Sequence, residues 1–228
     1  MPAFVFEPPA PPALPVRGSE ALFPVRRVYC VGRNYAAHTI EMGGDPDREE
    51  PFFFQKNPDS LDVSGEFPYP PKSTDVHHEV EMLVALGSGG REIPVETALG
   101  HVFGYGVALD MTRRDLQGQA KEQRRPWEIG KSFERSAPCG PITPASEIGH
   151  PDRGRIALSV NGALRQEGDL GQMIWKTPEM IAYLSQFFEM AAGDVILSGT
   201  PSGVAAIARG DEMAAEIEGL GQLRVTVV

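Results

Sequence analysis

An α+β fold is what this chain predicts, and three observations predict it. Strand-like segments outnumber helical ones, and they follow one another irregularly, without the strand–helix alternation of a doubly wound sheet. Gly (25) and Pro (21) supply about a fifth of the 228 residues, which suits many turns between short strands and not a helical bundle. The apolar share of 41% and charged share of 23% are ordinary for a globular chain long enough for one sizeable core. Residues 1–22 read as a proline-rich N-terminal arm, extended or loosely ordered, and residues 23–228 as one catalytic domain without an internal linker or repeat.

The elements follow from local pattern. Arg26–Val31 is strand-like and is stopped by Gly32; Asn34–Met42 has helical character, with Asn34 as N-cap and Gly43-Gly44 as stop. Phe52–Gln55 is a short buried strand, and 57–74, with four prolines and one glycine, is loops and short edges. Glu79–Leu86 and Val102–Leu109 are apolar strands flanking a short helix at Val95–Leu99. Arg113–Arg125 favours helix up to Pro126. Ile156–Val160 followed by Asn161-Gly162 signals a hairpin with a type I′ turn. Pro178–Met190 is an amphipathic helix presenting Ile181, Leu184, Phe187 and Phe188 on one face, stopped by Gly193. Val195–Leu197 and two short strands around Gly219-Leu220-Gly221 complete the chain.

Composition excludes several functions. With 21 basic against 31 acidic residues the net charge is −10, so the basic footprint of a nucleic-acid or anionic-membrane binder is missing. No apolar run approaches the roughly 18 residues that span a bilayer. The first 24 residues carry seven prolines and no basic start, unlike a signal peptide. Cys30 and Cys139 form no CxxC pair and read as free thiols of a reducing, cytoplasmic setting. Gly104-Tyr105-Gly106 lacks the third glycine and the following helix of a dinucleotide loop, and Gly199-Thr200-Pro201-Ser202-Gly203 has its Ser one place late for a nucleophile elbow.

Three constellations can carry chemistry. On a strand, Glu79 and Glu81 point to one face while Val80 and Met82 point to the other. Spacing alone suits an exposed polar face, but Asp110 ends the next apolar strand, and three carboxylates make a hard oxygen site for Mg²⁺ or Mn²⁺. His77 or His78, just before the Glu79 strand, could join the three carboxylates, although a loop histidine is more often solvated. His38 and Glu41 stand at i and i+3, so a carboxylate can orient one imidazole nitrogen and leave the other as a base, although a surface pair has the same spacing. Between Arg113 and Lys131 lie six basic and three acidic residues, either a charged helix face or a patch for an anionic substrate. Arg124-Arg125, beside Pro126-Trp127, read as a helix tip whose planar guanidinium fork suits a carboxylate, with Arg33 in reserve.

Taken in order, Gly32-Arg33-Asn34-Tyr35 with His38 and Glu41, His78-Glu79-Val80-Glu81, Asp110-Met111-Thr112, Lys131-Ser132-Phe133 and Gly199-Thr200-Pro201-Ser202-Gly203 resemble the fumarylacetoacetate hydrolase family. The resemblance runs from about residue 26 to the C-terminus. Lys56-Asn57-Pro58, where many members have Lys-Pro, and Glu134, where Asp is common, are its departures. Phe52–Gln55, Arg125-Pro126-Trp127 and the short length are most similar to members acting on fumarylpyruvate.

The resemblance implies a mixed β-sandwich roll with short helices and a homodimer. It also implies one Mg²⁺ or Mn²⁺ on Glu79, Glu81 and Asp110, and water activated by His38 with Glu41. Lys131 and Gln117 would contact the reacting oxygens, and Thr200 would line the pocket. Arg114 joins Arg33, Arg124 and Arg125 as basic candidates for binding a small dicarboxylate keto acid. The implied reaction is hydrolysis of the C–C bond of an acylpyruvate, fumarylpyruvate to fumarate and pyruvate in gentisate-type aromatic degradation. The alternatives on the same scaffold are an oxaloacetate decarboxylase or a keto acid isomerase.

Overall fold

The computed structural model describes residues 4–35 and 50–228. Its larger sheet has six strands, in the order β6 (Thr143–Pro144), β5 (Val102–Leu109), β4 (Val80–Leu86), β9 (Asp194–Leu197), β1 (Arg27–Gly32) and β2 (Phe52–Lys56). Neighbours are antiparallel except β9 and β1, which run parallel. The smaller sheet has the order β8 (Ala163–Asp169), β7 (Arg155–Val160), β10 (Glu212–Ile217), β11 (Gly221–Val227) and β3 (Glu66–Phe67), with only the last pair parallel. Short helices lie between strands. Three of them bear on the site or its support: α1 (Arg114–Glu122), α2 (Glu128–Lys131) and α3 (Thr177–Phe187). This is the mixed, irregularly ordered α+β architecture expected. Among the described residues no helix is long and apolar enough to cross a membrane.

Strand β4 shows why the sheets stack. All seven of its residues are buried, as a strand covered on both faces requires. Val80, Met82, Val84 and Leu86 join Ile156, Leu158, Met213 and Val225 of the smaller sheet in the main core. Leu83 and Ala85 turn the other way and pack with Cys30, Val195, Leu197 and Cys139. Each such aliphatic side chain contributes about 1.5–3 kcal/mol on burial.

That second face is covered by the N-terminal segment. Ala13–Pro15 pairs antiparallel with Leu22–Pro24, and Leu14, Phe23 and Val25 are buried against the sheet. Proline holds these strands to three residues each without preventing their pairing.

Local details both match and revise the pattern reading. Asn161 and Gly162 have φ of 51° and 77°, the two positive values a type I′ turn needs. The segment 57–74 is turns and two-residue strands. α3 stops at Phe187, whose ring is 60% exposed beside Tyr183, so the buried face is Met180, Ile181 and Leu184 without it. α1 ends at Glu122, short of Arg125, because Arg124 takes a left-handed φ of 53°. Asn34 is followed not by helix but by Tyr35, which bridges to Met173, and its side chain donates to the carbonyls of Trp175 (2.9 Å) and Ser198 (2.7 Å) and accepts from Trp175 N–H. The rest of the expected helix falls on residues outside those described.

Candidate active site

The pairing of β4 with β5 builds the acidic centre. Glu81 stands opposite Ala108, Val80 opposite Leu109, and one step further Asp110 N–H donates to the Glu79 carbonyl at 2.8 Å. Two-residue periodicity therefore puts Glu79, Glu81 and Asp110 on one face of the sheet. All three are buried, and one ligand oxygen from each lies within 4.8 Å of the others. Asp110 Oδ1 is buried and accepts no hydrogen bond among the described residues, although Lys56 Nζ stands 2.9 Å away. Hard oxygen donors at this spacing fit a divalent cation.

Electrostatics point the same way. Burial, then the charges of Asp110 and Glu79, push Glu81 well above the ordinary carboxylate range, and Lys131 with the Gly199 N–H only partly offsets this. Three cations converge on the triad. Lys131 Nζ lies 2.8 Å from Glu79 Oε2 and 2.7 Å from Asp110 Oδ2; Arg114 donates to Glu79 Oε1; Lys56 faces Asp110. Burial opposes the charge of Lys131, but Asp110 and Glu79 outweigh it and hold the ammonium above its usual range.

Each group is held from a distance. Lys131 ends α2, whose N–H bonds to Trp127 fix it, and Lys56 ends β2, also donating to Ser136 Oγ and to the Met111 and Lys131 carbonyls. Glu81 Oε2 accepts from Gly199 N–H at 2.7 Å. Gly199 has φ +86°, and a Cβ there would meet Asn34 Cβ at 2.7 Å, so only glycine presents this N–H. Gln166, from the smaller sheet, donates to Thr200 Oγ1 and the Pro201 carbonyl while accepting from Val80 N–H and bonding His78 Nδ1. His78 is thus a fully buried strut and not a solvated loop histidine; His77 pairs with Asp75, and neither joins the triad.

The triad floors an open cleft. Arg33 at its rim, Arg114, Gln117, Lys131 and Thr200 line it, as expected. Arg124 and Arg125 do not: both are exposed, because the chain leaves the helix at Gln123 and turns them to solvent. Lys121 takes the place on the cleft wall that the pattern reading gave to them. Lys56, Lys121 and Gln166 are the contributors that sequence reasoning missed. Of these only Lys121 had a signal, standing seven residues after Arg114 on the same helical face. His38 and Glu41 lie outside the described residues.

Comparison with known proteins agrees with this geometry. The family model described as fumarylacetoacetate (FAA) hydrolase C-terminal matches residues 27–228. A fumarylpyruvate hydrolase from Pseudomonas aeruginosa, solved in complex with Mn²⁺ and pyruvate, superposes with a TM-score of 0.97 at 53% identity, covering 99% of both chains. An oxaloacetate tautomerase of Escherichia coli is 42% identical over 198 residues, 86% of this chain and 90% of that protein. A fumarylpyruvate hydrolase from a Ralstonia species is 38% identical over 189 residues, 82% of this chain and 98% of that protein. The match spans both sheets and every described residue of the acidic centre, and the chain belongs to the fumarylacetoacetate hydrolase family, whose members are enzymes acting on keto acids.

Proposed function

We propose that this chain hydrolyses the C–C bond of an acylpyruvate, with fumarylpyruvate as substrate and fumarate and pyruvate as products. The observation that carries the reading is the cleft itself. A buried carboxylate triad faces a wall of cations, an arrangement suited to a substrate with a chelating keto acid at one end and further negative charge at the other. The 53% identical relative solved with Mn²⁺ and pyruvate supports it.

Glu79, Glu81 and Asp110 would hold one Mg²⁺ or Mn²⁺, which supplies Lewis acidity and a template for two adjacent oxygens. The other steps belong to the chain. His38, oriented by Glu41, takes a proton from water, and the hydroxyl adds to the acyl carbonyl carbon. The bond from that carbon to the methylene breaks, and its electron pair passes to the pyruvate fragment, which gains a proton at the methylene carbon. A carbon leaving group is poor, so stabilising the charge gathered on the pyruvate oxygen is where most catalysis lies. Lys131 Nζ donates to that oxygen. Arg114 Nη1 holds Gln117 Oε1 at 2.7 Å, leaving the Gln117 amide hydrogens for substrate, and Thr200, anchored by Gln166, forms the wall. The reading includes the family's homodimer, visible by light scattering as twice the 24.7 kDa chain mass.

A second reading, interconversion or decarboxylation of oxaloacetate, is favoured by the 42% identical relative. It requires no activated water. His38→Ala should lower fumarylpyruvate hydrolysis by about 10²–10⁴-fold, as loss of a general base does, and spare any reaction on oxaloacetate far more. Release of equimolar pyruvate and fumarate from fumarylpyruvate supports hydrolysis. Turnover of oxaloacetate with no cleavage of any acylpyruvate would replace the first reading by the second.

A further inference from the structure

One face of α1 lines the cleft with Arg114, Gln117 and Lys121, at i, i+3 and i+7. Arg114 sits at the acidic end, bonded to Glu79. Lys121 lies two turns further on, half-buried, with its Nζ 5.0 Å from the centroid of the Trp127 ring. Among the described residues no carboxylate pairs with it. Burial, then the Arg114 and Arg33 guanidinium groups, lower its pKa from the usual lysine range, and among the described residues lining that end of the cleft basic groups outnumber acidic ones. Trp127 in turn packs on Phe52 (4.8 Å) and Phe54 (5.9 Å), with the ring planes tilted by 58° and 50°, an aromatic cluster beside the cation.

We infer that Lys121 binds the distal carboxylate of the substrate and, with Trp127 as its platform, sets specificity for a long, planar dicarboxylate. This assignment rests on the acylpyruvate reading above. Seven residues of helix rise by about 10.5 Å. The six bonds between the terminal carbons of fumarylpyruvate extend to about 7 Å, taking roughly 1.2 Å per bond as in an extended backbone. Adding the hydrogen bonds at each end, such a substrate spans from the acidic centre to Lys121. A four-carbon dicarboxylate, with three such bonds, does not. Arg124 and Arg125, past the helix end, have no comparable access.

The test uses the Mn²⁺-loaded protein in two arms. The first follows binding, through tryptophan fluorescence, of 2-oxoheptanedioate, an uncleavable seven-carbon keto diacid, and of 2-oxoheptanoate, which replaces its distal carboxylate by a methyl group. Wild type should prefer 2-oxoheptanedioate by about tenfold or more; Lys121→Met should erase the preference and Lys121→Arg should retain most of it. The second compares kcat/KM for fumarylpyruvate and acetylpyruvate. Lys121→Met should lower the former by about ten- to a hundredfold, chiefly through KM, and move the latter less than about twofold. A Lys121→Met variant that keeps the 2-oxoheptanedioate preference, or loses both ligands of a pair equally, would overturn the assignment. Wild type that cleaves no acylpyruvate would overturn the hydrolase reading alone; a 2-oxoheptanedioate preference erased by Lys121→Met would still support Lys121 as the carboxylate site.

Discussion

The two ends of the cleft are built on opposite principles. At the acidic end, Glu79, Glu81, Asp110, Lys131 and Lys56 are all nearly inaccessible, and each is held by ion pairs or backbone N–H groups from separate elements. At the far end, Lys121 and Trp127 are half-buried and Arg33 is exposed, on a helix and loops at the surface. Buried charges without partners are costly, so the acidic end is fixed by mutual dependence, and a change to one member leaves the others uncompensated. The cation end has room to change without disturbing the core. The same chemistry at one end can therefore serve substrates that differ at the other, which fits relatives named for different keto acid reactions.

The largest effect should come from breaking the acidic end. Asp110→Asn or Glu81→Gln removes a ligand, and should weaken Mn²⁺ binding by more than the about 10–100-fold that loss of an outer-shell partner costs. Calorimetric titration of the metal-stripped variants measures this; unchanged affinity would move the ligands elsewhere. Lys131→Met separates two roles at the same spot. Turnover should fall by about 10²–10³-fold, as loss of one donor to a developing oxyanion does. Metal affinity should rise, because an ammonium within 3 Å of Glu79 and Asp110 oxygens repels the incoming ion. Weaker metal binding in that variant would contradict the charge balance drawn here. The smallest effects belong to Arg124→Ala and Arg125→Ala, which should shift the fumarylpyruvate-to-acetylpyruvate preference less than about twofold. A larger shift in steady-state kinetics would return these arginines to the cleft.

What the sequence made legible follows the range of the interactions involved. The triad could be read because strand alternation and the antiparallel register of two adjacent strands are nearly local, and Asp110 ends the strand that pairs with Glu79. The turn at Asn161-Gly162 needed only its dipeptide. Lys56 and Gln166 gave no such sign, since the first reaches Asp110 from an edge strand and the second reaches the site from the other sheet. Asn34 and His78 were misjudged for the same reason: their partners, Trp175, Ser198 and Gln166, are some 90 to 160 residues away. Lys121 was lost to a boundary. Gln123-Arg124-Arg125 favours helix and Pro126 marks the stop, so nothing local announces the left-handed Arg124 that ends α1 early. Lys131, lone in its pattern, gained a role only from the family resemblance.

The central claim is that the buried triad holds the metal on which acylpyruvate cleavage depends. Its most direct test is fumarylpyruvate turnover in metal-stripped protein during titration with Mn²⁺, with bound ion counted in the same samples. Cleavage should be absent at the start and rise in proportion to bound Mn²⁺ until one ion per chain is reached. Full cleavage in the stripped protein, or activity that does not follow the bound ion, would contradict it.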